Sequence, residues 1–504
     1  MRCTYFFMFL CLFAALPAMA DVSLPALFSD NMVLQRGIPD PVWGKADPGE
    51  QVSVSFCGQQ VMTTTNIEGR WKVTLAPQQA GGPFDLTVTG KNVIALKNVM
   101  VGEVWFCSGQ SNMAITITSV QNASQEIAAA NYPDIRYFSV GNAVAYEPKP
   151  DCIGTWSVTS PQVVSRYSAV AYFYGRELSK TLKVPIGLIQ SSWSGTPVQS
   201  WIDRQSFLEN PTLKPSIVNM DQSMQGYCKA TETAMREWLT AVDRAKAADK
   251  PFPEPPTVPN DPRSAYAMAT GLYNGMVAPL IPYGIAGAIW YQGESNAGQA
   301  ALYRTLFPAL ITGWRRAWGQ GDFPFYYVQV ANYAAQQTIP GEVSAWAELR
   351  EAQMQALALP NTGMATTIDI GDGDSIHPRN KQDVGKRLAL WAEAKTYGMQ
   401  DVVYSGPLFD GISVEGNKIR LRFKYTDGGL LTKDGGPVKG FAIAGVNSKF
   451  VWADAVIDGD SILVSSTLVP VPAIVRYAWG NNPVCNLYNK AGLPAVPFRA
   501  DVPK

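Results

Sequence analysis

Trp105-Phe-Cys-Ser-Gly-Gln-Ser-Asn-Met113 is the stretch around which the chain is organised. It completes a short apolar run, Val101 to Phe106, that reads as a buried strand. Gly109 then permits a sharp turn, and Ser111 falls where the strand hands over to the next element. A serine there projects its hydroxyl from the carboxyl edge of a sheet, where open α/β proteins place their ligands. A Ser-Gly-Gln-Ser-Asn turn is also an ordinary turn, so its chemistry depends on what else the chain supplies. The single histidine, His377, lies in Asp374-Ser-Ile-His-Pro378. A serine hydroxyl is a weak nucleophile and needs a base near neutral pH. Imidazole, with an ordinary pKa of about 6.5, suits that work. Asp374 precedes the histidine by three residues, so its carboxylate is in reach of the ring nitrogen turned away from serine.

Outward from this stretch, residues from about Val99 to 400 alternate apolar strand runs with helical segments, the signature of a parallel sheet with helices on its faces. The runs are Val101–Phe106, Val184–Gln190, Gly284–Tyr291, Phe323–Ala331 and Gly363–Ile370. Met235, Trp238, Leu239 and Val242 give Ala234–Val242 one apolar face. Lys381–Tyr397 reads as a helix capped by Asn380. Leu302–Trp318 has helical period, with Pro308 expected to kink or split it. Pro251–Pro262 reads as a loop. Four runs are followed by a polar or glycine motif: Ser111, then Gly195, then Gln292-Gly-Glu-Ser-Asn296, then Asp374 with His377. Parallel strands share one carboxyl edge, so parts spread over about 270 residues can meet in one crevice.

Two stretches flank this core. Residues 21–97 alternate apolar and polar positions, as in Val52–Phe56 and Trp71–Leu75, and suggest a small β-sandwich. Residues 401–504 return to alternating strands at Lys418–Phe423, Phe441–Ala444, Ser461–Val464 and Ala473–Arg476. Residues 1–20 read as a signal peptide: Arg2, an apolar run from Tyr5 to Leu16, and Ala18-Met-Ala20 as cleavage site. Export to the periplasm or the medium is the expected consequence. No later stretch reads as a membrane span.

Charged residues make up 16% of the 504, and 41 Lys and Arg balance 41 Asp and Glu. A neutral chain lacks the basic stripe that nucleic acid or an anionic membrane calls for. Aromatics at 11%, with 14 Trp, suit sugar-stacking surfaces and large cores alike. Cys57, Cys107, Cys152, Cys228 and Cys485 are scattered and odd in number, which is neither a zinc site nor a disulfide scaffold, though one or two bridges are open to them. No metal and no cofactor is called for.

Gly109-Gln-Ser-Asn112, the glycine at 195, Gln292-Gly-Glu294 and Asp374-x-x-His377 resemble the SGNH (GDSL-like) hydrolase superfamily. Within it, the chain resembles the sialate O-acetylesterase family of carbohydrate esterases. Asn31–Arg36, Val42-Trp-Gly44, Gly102–Trp105, Trp290–Asn296, Phe325–Tyr327 and Asn486–Asn489 agree, so the likeness runs nearly from Asp21 to the end. It implies a flavodoxin-like three-layer core over 98–400 between the two β modules. It implies Ser111 as nucleophile, His377 as base and Asp374 as third triad member, acting on O-acetylated sugars. The oxyanion hole would be the N–H groups of Ser111 and Gly195 with a side-chain amide. The superfamily's usual donor is an asparagine in Gly-x-Asn; here Gln292 stands in, with Asn296 as the alternative.

Three neighbours carry further expectations. Glu294 is a second acid or, preferably, a hydrogen bond holding the Gln292 loop. Arg350 is a solvated helix residue or a bidentate clamp for a sugar carboxylate. Acetylated xylan or another polysaccharide is the alternative to 9-O-acetylated sialic acid, and a secreted glycan-binding protein without catalysis is the non-enzymatic alternative.

Overall fold

A computed structural model describes residues 21–446 and 449–502. The signal peptide expected over 1–20 lies outside the described residues. The centre is a sheet built from β1 (Val93–Gly109), β2 (Tyr132–Ser139), β3 (Trp156–Thr159), β4 (Ile186–Ser192), β5 (Gly287–Tyr291), β6 (Phe325–Val328) and β7 (Thr362–Ala365). Their spatial order is β7-β6-β5-β1-β4-β2-β3, and every pair is parallel except β2 with β3. The chain lays β2 and β4 to one side of β1, then crosses to lay β5, β6 and β7 on the other. The carboxyl end of β1 is therefore a switch point of the topology, where an open parallel sheet leaves a crevice.

β1 departs from the expected layout. Its first part pairs antiparallel with Gly81–Thr89, while its second part is the spine of the parallel sheet. Burial alternates up to Asn98 and is complete from Val99 onward. A shift in composition near 97 thus marks one strand passing from one covered face to two, and the boundary expected there falls inside it. β2 was not among the expected runs. Pro133, Asp134 and Arg136 interrupt its apolar pattern, yet it is a parallel neighbour of β4.

Side chains along these strands point alternately to two cores. Val104, Phe106, Ile189, Ala288, Trp290, Phe325 and Tyr327 face one. Trp105, Cys107, Leu188, Ile289, Tyr291, Tyr326 and Val328 face the other. Helix α1 (Ala169–Leu182) covers the second core, and α2 (Lys214–Ala247) follows it in the chain. Then α3 (Ala300–Trp318) and α4 (Ala345–Gln355) cover the first core, and α5 (Lys381–Trp391) returns to the second. Each fully buried large apolar side chain contributes about 1.5–3 kcal/mol. That accounts for α3 running unbroken through Pro308: Leu306, Phe307, Leu310 and Ile311 are buried around it, which offsets the proline's cost of about 3 kcal/mol. The segment expected at 234–242 is part of the much longer α2, and its apolar stripe is not a core face. Met235 and Leu239 are exposed, and the Trp238 indole N–H donates to Pro253 O at 3.0 Å. Asn380 caps α5 by accepting the Asp383 N–H at 3.1 Å.

All four strands expected after residue 401 are present. They lie in two four-stranded sheets that share one core, including Leu421, Phe441, Ile462, Val475 and Phe498. The five cysteines among the described residues are all free. No helix of the described residues is long and apolar enough to cross a membrane.

Candidate active site

At the end of β1, Gly109 has φ +145°, and a Cβ there would lie 2.1 Å from Tyr291 O on β5. Only glycine lets the two strands approach so closely before the turn. The Gln110 N–H donates to Tyr291 O at 3.0 Å, and Gln110 O receives the Met113 and Ala114 N–H groups. A single helical turn, Ser111–Ala114, follows. Ser111 is its first residue, so its N–H has no intrahelical partner.

The chain leaving β7 brings His377 to this turn. His377 Nε2 lies 2.9 Å from Ser111 Oγ, although 266 positions separate the two residues. The loop is tied down locally: Ser375 Oγ accepts the His377 N–H, and the Asp372 carboxylate accepts the Asp374 N–H. It is tied to the Ser111 turn as well. Asn112 Nδ2 donates to Ile376 O at 3.0 Å, and the Gln121 N–H donates to Arg379 O at 3.0 Å.

Burial, and then the charge of Lys381, hold the His377 pKa below its ordinary value. The imidazole must be neutral to take a proton, so activity falls as pH falls through that lowered pKa. We expect the acid limb of kcat/KM for a simple aryl acetate to lie below about 6.5. A limb at or above that value contradicts His377 as the base.

The other expected residues are distributed less simply. Asp374 is exposed, and its carboxylate makes no hydrogen bond among the described residues. Gly195 (φ +75°) follows β4, and the Trp193 N–H donates to Gly109 O at 3.2 Å, which brings this loop against the end of β1. The N–H groups of Ser111 and Gly195 donate to no protein acceptor among the described residues. Gln292 is different: it is fully buried, with its amide donating to Asn296 Oδ1 at 2.8 Å and Thr196 O at 3.3 Å. Asn296 is equally buried and engaged at both ends. Its Oδ1 also accepts the Val198 N–H, and its Nδ2 donates to Gln199 and Gln299. These two amides lock the loop after β5 to the loop after β4, which leaves neither with a free donor in this structure.

Glu294 is half-buried with its Oε2 shielded from solvent, its pKa is raised chiefly by desolvation, and its Oε1 accepts from Asn112 Nδ2 at 2.5 Å. Arg350 requires a correction. Its side chain is fully buried, and its guanidinium donates to the carbonyls of Val330, Ala331, Gly480 and Asn481. A helix arginine was expected at the surface; here it joins α4 to the C-terminal module, and no face of it is open to a sugar. Four contributors escaped the sequence reading. Gln110 Oε1 accepts from Gly293 and Ser295 N–H. Asn112 and Lys381 form a buried chain beside the histidine. Trp193 has its ring 6.1 Å from that of Tyr266, whose hydroxyl lies 3.9 Å from a Cβ built at Gly195. The one available signal was Lys381, a cation at a helix start where the macrodipole disfavours it. Among the described residues no group of three or more His, Cys, Asp or Glu side chains is placed to hold a metal ion.

A family described as "carbohydrate esterase, sialic acid-specific acetylesterase" matches residues 263–392. The chain is 33% identical to the sialate O-acetylesterase of Rattus norvegicus, over 95% of this chain and 94% of that protein. The chain belongs to the sialate O-acetylesterase family. The sialate O-acetylesterase of Homo sapiens is 31% identical over 94% of this chain and 91% of its own. A carbohydrate acetylesterase from Xanthomonas citri has the same fold, with a TM-score of 0.82, 37% identity, and coverage of 96% of this chain and 100% of that one. As a member of the sialate O-acetylesterase family, the protein is a carboxylic ester hydrolase.

Proposed function

We propose that the protein removes O-acetyl groups from sugars through an acetyl-Ser111 intermediate. The observation that carries this is the 2.9 Å contact between His377 Nε2 and Ser111 Oγ at the carboxyl edge of β1. Ser111 Oγ attacks the acetyl carbonyl carbon while His377 takes its proton. The oxyanion develops toward the N–H groups of Ser111 and Gly195. Gln292 joins them only on releasing Asn296 or Thr196. One such donor is worth about 2.7–4 kcal/mol in related chemistry. His377 then protonates the departing sugar oxygen, water attacks the acetyl-serine with His377 again as base, and acetate leaves. No metal or cofactor enters these steps.

Asp374 is the proposed third member of the triad, supporting the imidazolium from the shared loop. Its carboxylate makes no hydrogen bond among the described residues. Asp374→Asn is therefore expected to lower kcat by about 10- to 100-fold, well short of the loss on removing Ser111. A fall of about 10⁴-fold, as when a buried orienting carboxylate is removed, would mean that the loop closes onto the ring during turnover.

The substrate proposed is 9-O-acetylated sialic acid. The Trp193–Tyr266 ring pair beside Gly195 supports a sugar, since such faces pack against the apolar face of a pyranose. Acetylated xylan or another polysaccharide is the second reading. The burial of Arg350 favours it, because the guanidinium expected for a sialate carboxylate is engaged elsewhere. Acetate release from acetylated sialic acid measured beside acetylated xylan, with product analysis by position, separates the two. The accompanying fold reading is an SGNH-type three-layer core over 98–400 between β-sandwich modules at 21–97 and 401–504. Export after cleavage behind Ala20 is proposed from the sequence of residues 1–20, and N-terminal sequencing of the secreted chain tests it.

A further inference from the structure

Lys381 is the first residue of α5 and is fully buried. Two forces oppose a cation there. The positive end of the helix repels it, and burial removes its hydration. Burial brings its pKa from 10.5 down to about 7, against the opposing pull of the Glu294 charge. Its cost needs a return elsewhere in the structure, and the contacts show one.

Lys381 Nζ donates to Asn112 Oδ1 at 2.6 Å and stands 5.3 Å from the centre of the Tyr291 ring. The other end of the same amide donates to Glu294 Oε1 at 2.5 Å and to Ile376 O at 3.0 Å. The order is cation, amide oxygen, amide nitrogen, carboxylate, so the amide dipole lies along the field between the two charges. A flipped amide would set its NH2 against the ammonium and its oxygen against two acceptors. Lysine therefore determines which way Asn112 faces. Asn112 follows Ser111 in the chain, and Ile376 precedes His377. One amide thus joins the two halves of the reacting pair.

We propose that Lys381 is a positioning residue of the hydrolysis, locking the Ser111 turn to the His377 loop through Asn112. This rests on the reading of Ser111 as nucleophile and His377 as base. The titratable groups facing Lys381 are Glu294, Tyr291 and His377. Asp383, on its own helix, is turned to Asn380 Nδ2 at 2.7 Å. The charged group that acts on His377 is Lys381.

His377 is the only histidine of the chain, so one imidazole resonance reports its titration by NMR without reference to activity. Lys381→Met keeps the stem and removes the charge and the donor. With an aryl acetate we expect kcat to fall by about 10- to 100-fold with KM within about twofold. The histidine titration and the acid limb should both move to higher pH, by about half a pH unit or more, because a repelling charge is gone. Asn112→Leu should lower kcat as much, and the double variant no further. A folded Lys381→Met with kcat unchanged overturns the proposal. So does a fall in kcat with the histidine titration unmoved, which marks packing alone. Should Lys381→Met fail to fold, Glu294→Gln removes the counter-charge at constant size. It weakens the carboxylate end of the Asn112 bridge, so kcat must fall with KM within about twofold, and an unchanged kcat overturns the proposal. Ser111→Ala is the control for the underlying reading. If it stays active, the nucleophile assignment fails whatever the lysine variants do.

Discussion

Ser111→Ala is expected to remove acetate release almost entirely, by a factor on the order of 10⁶ in kcat. The reason is specific to this site. Among the described residues Ser111 Oγ has one partner, His377 Nε2, so the substitution takes away the proposed attacking atom and leaves the surrounding hydrogen bonds intact. The turn itself is held by Gln110 through the Tyr291, Met113 and Ala114 backbone groups, and by the Asn112 side chain. The variant should melt with the parent enzyme and bind substrate with similar affinity. His377→Ala should be almost as inactive, and the double variant no worse than either single one, since nucleophile and base act as a unit. Acetate release and a thermal melt on the same preparations decide the matter. Activity within about tenfold of the parent in a folded Ser111→Ala would end the acetyl-serine mechanism.

The second large effect lies away from the chemistry. Arg350→Ala should destabilise the protein by about 3–5 kcal/mol. It strips the donors from four backbone carbonyls and opens a void between α4 and the segment around Gly480 and Asn481. Arg350→Lys should rescue little, because three rotatable donors on one ammonium cannot serve four carbonyls arranged for a planar fork. Denaturation midpoints for both variants test this, with KM for acidic and neutral acetylated sugars measured alongside. The ratio of those KM values should stay constant. An unchanged midpoint with KM raised only for the acidic sugar would mean that the guanidinium reaches substrate after all.

Lys381 is a buried cation tied through the Asn112 amide to both the Ser111 turn and the His377 loop. Its effect on His377 runs in the same direction as burial, and both favour the neutral imidazole that hydrolysis needs.

Much of the site is legible in the order of residues. Ser111, Gly195 and the Gln292 and His377 motifs each follow an apolar run, and parallel strands must deliver such residues to one edge whatever their spacing in the chain. The Asn380 cap of α5 was equally readable, since a cap is a contact three residues long. What escaped was of another kind. β2 breaks its own pattern with Pro133 and Arg136 and is a strand because β4 lies beside it. Pro308 stays inside α3 because the buried residues around it outweigh local preference.

That a serine, a histidine and two glycine turns meet at one sheet rim follows from the order of residues alone, because strand period and strand direction are local properties that carry the chain's geometry with them. Which polar groups there remain free depends on how distant segments pack. The amides of Gln292 and Asn296 are engaged by the 196–199 loop, Arg350 by carbonyls at 480 and 481, and Asn112 by a lysine from α5. A hydrogen bond is settled by whichever partner packing brings within about 3 Å, and these partners come from parts of the chain that no local pattern connects.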